Sequence, residues 1–237
     1  MNKIFIIFLL SNTKMVSERR YDLVAFDMDG VLLGPDSCWS WIHQHYGVDN
    51  RASLKAYLDG AIDDREFMRR DISLWKANGG EVSISEITDI LYGMPITPGV
   101  AETLGALKRS GMKAVIVSGG IDLIAERVAR SFDFDDFIAN GLEHDPEGRL
   151  TGEGVLRVDL TNKKAALDTF IEAYGVQRER VVAIGNSFVD VSMFMGCGLS
   201  IAYNPIDDHV RANADVVLEA GDMREVLPFI LDAPVPR

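Results

Sequence analysis

Four short, unbroken apolar runs recur along the chain, and they restrict its folding more than any other feature. They are Asp22-Leu-Val-Ala-Phe26, Lys113-Ala-Val-Ile-Val117, Arg180-Val-Val-Ala-Ile184 and Leu199-Ser-Ile-Ala-Tyr203. A strand with one wet face alternates apolar and polar residues. A strand that is apolar at nearly every position needs cover on both faces, which is the condition of a parallel sheet flanked by helices. Helix-like patterns fill the intervals, over Val100 to Arg109, Ile121 to Ser131, Lys163 to Tyr174 and Asp190 to Met195. The alternation predicts an α/β fold, a Rossmann-like, doubly wound parallel sheet. Residues Phe137 to Leu160, with Gly141, Gly148, Gly152 and Gly154, read as an antiparallel hairpin attached to that sheet.

One interval breaks the rhythm. From Gly34 to Thr97 there is no strand signal, but Asp63 with Glu66 and Ser83 with Glu86 have capping-box spacing, and Asn78-Gly79-Gly80 separates the two helices they open. Pro95 and Pro98 close the segment. The predicted organisation is a core made of residues 15–33 and 98–237, with a small helical cap, residues 34–97, inserted after the first strand. Ligands of α/β sheets bind at the carboxyl ends of the strands, so an insert at that point would sit over the site. Residues 1–14 include the apolar run Ile4 to Leu10, well short of the roughly 20 residues that span a bilayer and without a convincing signal cleavage site. They are expected to be a dispensable extension.

The net charge of −12 argues against a nucleic-acid or anionic-membrane partner, because such a surface repels both. An anion handled by this protein needs a local seat. Two cysteines, Cys38 and Cys197, make no disulfide framework and fit a reducing, cytoplasmic setting.

The ends of the apolar runs carry the candidate chemistry. After Phe26 comes Asp27-Met28-Asp29-Gly30, two carboxylates able to address one cavity. Like charges that close call for a divalent cation, or for a division of labour between nucleophile and proton donor. After Val117 comes Ser118-Gly119-Gly120, read as the start of a helix, where a hydroxyl and bare N–H groups seat an anion. After Ile184 comes Gly185-Asn186-Ser187-Phe188-Val189-Asp190, an oxygen-rich turn suited to a hard metal such as Mg²⁺. Lys163 adds a point positive charge. Singly, each has a plain alternative: a turn, a strand–helix loop, a surface lysine, an Asx turn or helix cap. Together, at the ends of inferred parallel strands, they outweigh it.

With these motifs the chain resembles the haloacid dehalogenase superfamily of phosphatases, and within it the phosphoserine phosphatase-like branch. The resemblance runs from about Tyr21 to Ile230, through Asp27-Met-Asp-Gly-Val, Val117-Ser-Gly-Gly, Lys163 and Gly185-Asn-Ser-Phe-Val-Asp190. It implies a Mg²⁺-dependent phosphomonoesterase acting on a small phosphorylated metabolite, as a monomer or homodimer. Asp27 would be the nucleophile and Asp29 the general acid and base. Ser118, the Gly119 N–H and Lys163 would neutralise the phosphoryl oxygens. Asp27, the Asp29 carbonyl, Asn186 and Asp190 would hold the metal.

Two departures stand out. Asn186 occupies the place of an aspartate that ligates the metal in the family, which removes one negative charge. This opens two alternatives, a catalytically weak or inactive phospho-ligand-binding relative and, less favoured, a phosphomutase. In the cap, Asp36 falls at the acidic position of phosphoserine-specific members, but Asp71 falls where their carboxylate-gripping arginine stands. Arg70 could serve only if the register slips. A substrate with an amine or neutral hydroxyls near the phosphate is therefore expected rather than phosphoserine. His43 and His45 are two apart and face different sides of a helix, so they do not suggest a zinc pair. The cap aromatics Trp39, Trp41, Tyr46 and Trp75 are read as packing. Cys38 is read as a bystander without a base.

Overall fold

The computed structural model describes residues 19–76 and 80–232. The extension 1–14, and Asn78 and Gly79 of the predicted helix break, lie outside the described residues. Seven strands form one sheet: β1 (Leu23–Phe26), β2 (Lys113–Ile121), β3 (Asp136–His144), β4 (Leu150–Val155), β5 (Val181–Gly185), β6 (Leu199–Tyr203) and β7 (Val216–Leu218), in the order β4-β3-β2-β1-β5-β6-β7. All neighbours run parallel except β3 and β4. Phe26 at the end of β1 sits level with Ile116 on one side and Ile184 on the other, so the residues that follow these three emerge side by side. The order reverses direction around β1, and this is where open α/β sheets place their ligands.

The four apolar runs behave as their composition requires. Val24 and Phe26 join one buried cluster with Leu104 and Leu107 of α5 (Val100–Arg109) and Ile124 and Val128 of α6 (Asp122–Phe132). Leu23 and Ala25 face the opposite cluster, with Leu167 and Phe170 of α7 (Lys163–Tyr174). Each fully buried Leu, Ile or Phe contributes roughly 1.5–3 kcal/mol, so the doubly covered sheet supplies much of the stability.

Four helices lie between β1 and α5: α1 (Cys38–Tyr46), α2 (Arg51–Leu58), α3 (Asp64–Trp75) and α4 (Ile84–Leu91). Asp63 and Ser83 do cap α3 and α4, accepting from Glu66 N at 2.9 Å and Glu86 N at 3.2 Å. The glutamates turn outward instead of completing a box: Glu66 pairs with Arg70 and Glu86 accepts from Tyr46 Oη. The base of the insert is closed by a bridge between Leu33 and Ile96 and by Thr97 N donating to Leu32 O at 3.0 Å. A second seam joins it to the β3–β4 hairpin. Lys76 Nζ donates to Leu150 O, Ile84 N to Gly148 O, and Leu150 N to Val82 O. Gly154 is needed there, because a Cβ on it would run into Met68 of α3.

Three details differ from the sequence reading. β2 continues through Ser118-Gly119-Gly120 to Ile121, and α6 starts only at Asp122. β3 pairs parallel with β2 before turning antiparallel to β4, so the hairpin grows out of the main sheet. β7 adds an edge strand that the apolar runs did not announce. Among the described residues, no helix is long and apolar enough to cross a membrane.

Candidate active site

Asp27 extends the β1 ladder by one residue, its N–H donating to Ile184 O at 2.8 Å. Met28 is fully buried in the core, while Asp27 and Asp29 both reach the cavity at the end of the strand. The chain leaves through Gly30 at φ +73°, and a Cβ there would collide with the Asn186 side-chain amide. Glycine is required at that position on both counts.

Lys163 opens α7 and is 1% exposed. Its Nζ lies 2.7 Å from Asp27 Oδ1 and 2.6 Å from Asp190 Oδ1. Burial pushes this ammonium down, but Asp190 and Asp27 more than offset it, and the group is held charged. Lys164 instead pairs with Asp168 at the surface. Asp190 was expected as a direct metal ligand, and its geometry points elsewhere. Oδ1 is committed to Lys163, and Oδ2 accepts from Asn186 N at 2.9 Å and Ser187 N at 3.1 Å. Asp190 therefore fixes the lysine and the turn.

At the end of β2, Ser118 Oγ accepts from Gly120 N at 3.0 Å and is almost wholly buried. The expected helix start is a bulged strand end, and its shape has a cause the sequence reading missed. Asn140 on β3 donates to Gly119 O at 3.2 Å and to Val158 O at 3.0 Å, and its Oδ1 accepts from the N–H groups of Arg157 and Val158. Trp39 Nε1 donates to the same Gly119 carbonyl at 3.3 Å. The only sequence signal for Asn140 is a polar residue directly after the short apolar run Phe137 to Ala139.

Among the described residues, Asp29 Oδ1 is buried without a hydrogen-bond partner. The rest of that carboxyl meets the backbone N–H and thiol of Cys38. Burial pushes the Asp29 carboxyl up to about 6, against the pull of those Cys38 bonds. Burial and the adjacent Asp29 push the Cys38 thiol up in turn, so it stays a neutral donor. Cys38 is thus no bystander: the start of α1 folds it directly onto the carboxylate. Asp27 is pushed up to about 7 by burial and by Asp190, with Lys163 opposing.

Three carboxyl groups and one ammonium share this dry space, an excess of negative charge that a divalent cation would balance. Among the described residues, no group of three or more His, Cys, Asp or Glu forms a ready-made metal cage. Magnesium does not need one, because it commonly takes one or two carboxylates and completes its shell with water and phosphate oxygens. Asp27, Asp29 and Asn186 all border the cavity, and the second oxygen of Asp27, the Asn186 amide oxygen and the Asp29 carbonyl are the hard oxygens that would have to supply such a shell.

A cavity of about 300 Å³ joins these groups to the insert; its wall includes Asp27, Asp29, Ser118, Gly119, Lys163 and Asn186. From the insert, Trp39, Tyr57, Phe67, Met68, Asp64 and Asp71 reach it. Asp36 is not part of the wall, although Pro35 and Ser37 are. Arg70 also stands outside it, exposed and paired with Glu66 at 2.7 Å. Asp71 touches the cavity, but its oxygens are taken by Ser53 Oγ at 2.8 Å, Asn50 Nδ2 at 2.9 Å and His43 Nε2 at 3.1 Å. Trp75 Nε1 donates to His43 Nδ1 at 2.9 Å, which leaves the imidazole proton on Nε2, facing Asp71. Trp39 stacks on Trp75 at 5.5 Å between ring centroids, so Trp75 is packing as expected, whereas Trp39 also borders the cavity and bonds the Gly119 carbonyl.

Comparison with known proteins agrees with this fold. The haloacid dehalogenase-like hydrolase family matches residues 24–195. A phosphoserine phosphatase of Methanocaldococcus jannaschii is 29% identical over 90% of this chain and 99% of its own. One of Wolinella succinogenes is 30% identical over 88% of this chain and 99% of its own. Among solved structures, a substrate-bound phosphoserine phosphatase complex aligns with a TM-score of 0.77 at 27% identity, covering 90% of this chain and all of the other. A phospho-aspartyl intermediate analogue of phosphoserine phosphatase gives 0.76 at 27% identity, covering 89% of this chain and 99% of the other. With the sheet order and the matched span in agreement, the chain belongs to the haloacid dehalogenase-like hydrolase family and is phosphoserine phosphatase-like within it.

Proposed function

We propose that this protein is a Mg²⁺-dependent phosphomonoester hydrolase that works through an aspartyl phosphate on Asp27, with a small phosphorylated metabolite as substrate. The observation that carries the reading is the pairing of a lysine-clamped carboxylate, Asp27, with a second carboxyl, Asp29, whose Oδ1 is buried and unpartnered beside it. Phosphoryl transfer asks chiefly for positioning and charge neutralisation, and both are built in.

An Asp27 oxygen attacks phosphorus while the bond to the leaving oxygen breaks, and Asp29 gives its proton to that oxygen. An acid raised to about 6 can hold this proton near neutrality. Water then attacks the aspartyl phosphate, Asp29 takes the water's proton, and phosphate leaves with Asp27 restored. Ser118 Oγ, the Gly119 N–H and Lys163 face the phosphoryl oxygens throughout. Magnesium, held by Asp27, the Asp29 carbonyl and Asn186, would supply further positive charge against those oxygens. Residues 34–97 act as the cap that shields the reaction from bulk water, over a catalytic core of residues 15–33 and 98–237. The chemistry and the reducing setting suggested by the cysteines fit a cytoplasmic enzyme.

Phosphate release from a panel of phosphomonoesters with Mg²⁺ tests the reading. Asp27→Asn should lower kcat by at least about 10⁴-fold, as expected for loss of a nucleophile. Rapid quenching of the wild type should find phosphate on the Asp27 peptide. Turnover that survives the substitution would overturn the mechanism. Tight binding of phosphate esters without any turnover would instead favour a phospho-ligand-binding protein, the direction in which Asn186 leans.

A further inference from the structure

Beyond the phosphate seat, the cavity changes character. Among the described residues, Lys163 is the only lysine or arginine in its wall, and both Asp27 and Asp190 already engage it. No cation is therefore left over for a second anionic group on a ligand. The same wall carries two further carboxylates. Asp71 is enclosed by its three donors, while Asp64 has Oδ1 bonded to Tyr57 Oη at 3.2 Å and to Leu160 N at 3.3 Å. Much of the rest of this part of the wall is apolar. Tyr57 and Phe67 stack at 4.9 Å with 13° between their planes, and both rings border the cavity beside Met68 and Leu160. At the mouth, Leu54 of α2 is 39% exposed, facing a space also bordered by Phe188 at 47% and Ile206 at 71%. Exposed apolar side chains from both the insert and the core thus share one opening, a surface that gains from contact with an apolar group.

We propose that the leaving group of the substrate is an apolar, ring-sized alcohol that is neutral or amine-bearing and carries no carboxylate. The assignment rests on the phosphomonoesterase reading above, and it sets this chain apart from an enzyme built for phosphoserine. The physical reason is that a carboxylate on the leaving group would enter a space with no unengaged cation and two like charges in its wall. It would lose its hydration without any compensating partner. A ring would instead rest against Tyr57, Phe67 and Met68, and an ammonium would find Asp64.

Four phosphate esters isolate the two features: phosphotyramine, phosphotyrosine, phosphoethanolamine and phosphoserine. Each pair differs by one carboxylate, and the pairs differ by one ring. For the wild type with Mg²⁺, kcat/KM should rise at least tenfold when the carboxylate is removed within each pair. The ring is read from binding, with the aromatic amine expected at least tenfold tighter than the short one, because a phenol leaves more readily than an alkanol whatever the pocket does. Calorimetric binding of the same four esters to Asp27→Asn should follow the same order without any chemistry. Asp64→Asn should narrow the gap between phosphotyramine and phosphotyrosine several-fold. Phosphoserine handled as well as phosphoethanolamine, or a gap that Asp64→Asn leaves untouched, overturns the assignment. Turnover of all four in the wrong order sinks the leaving group and spares the mechanism. The right binding order with no turnover does the reverse.

Discussion

The carboxyl edge of the sheet and the helical insert are both rich in buried polar groups, yet they use them in opposite ways. At the sheet edge, Asp29 Oδ1 has no partner and Asp27 has one oxygen on Lys163 and another toward the cavity, so polarity is left open for something to arrive. In the insert, Trp75, His43, Asp71, Asn50 and Ser53 satisfy one another in a closed relay. Buried polar groups cost stability unless bonded, and an open set persists only where a ligand completes it. The contrast separates the two jobs: the core supplies chemistry, and the insert supplies shape.

The comparison can be broken from either side. After Asp27→Asn, the largest effect expected is from Lys163→Met, which removes the cation between Asp27 and Asp190. Steady-state assays should show kcat lower by at least about 10³-fold, in line with losing a preorganised charge at a transferring phosphoryl group. Next is Asp71→Ala, which strands three donors; urea unfolding should show a loss of roughly 3 kcal/mol. The folded fraction should keep kcat within about tenfold on a small neutral ester, as expected of a residue remote from the reacting atoms. A collapse of kcat at unchanged stability would show that the relay takes part in the chemistry.

A pH experiment sharpens the same contrast. The carboxyls of Asp27 and Asp29 are raised in the folded protein, to about 7 and about 6. Each favours its protonated form on folding, so its contribution is fully present below the ordinary value near 4 and is lost as pH rises through the folded value. Metal-free protein should therefore lose stability between about pH 4 and pH 7, by on the order of a few kcal/mol relative to Asp27→Asn. Added Mg²⁺ should restore it at the upper end. Parallel melting curves for the two proteins without metal would contradict the picture. The smallest effect belongs to Arg70→Ala, on the exposed face of α3. Breaking that surface pair should change stability by no more than about 0.5 kcal/mol and leave kcat/KM for phosphoserine unchanged.

Much of this was legible in the chain because the sheet is written locally. A run such as Arg180-Val-Val-Ala-Ile184 states its double burial by composition, and the residues that follow it must emerge at the carboxyl edge. β7 escaped notice because it has three residues and lies at a partly exposed edge. The role of Asn140 was illegible for another reason: its partners, Gly119 and Val158, are brought to it by strand pairing and the returning hairpin. Asp71 illustrates the same limit. Register alone set it facing a ligand, whereas its actual neighbours come from α1 and from the start of α2. Cys38 was misjudged because its hydrogen-bond acceptor is Asp29, nine positions earlier, reached only when α1 folds back over Gly120.

The seam between α3, α4 and the hairpin governs traffic through the molecule. An insert joined only at its base could swing away as a lid. This one is also laced along its flank, through Lys76, Val82 and Ile84, to strands that belong to the main sheet. Leu54, Phe188 and Ile206 are the exposed apolar residues bordering the cavity, and their oily character would act on a reactant before any bond is made.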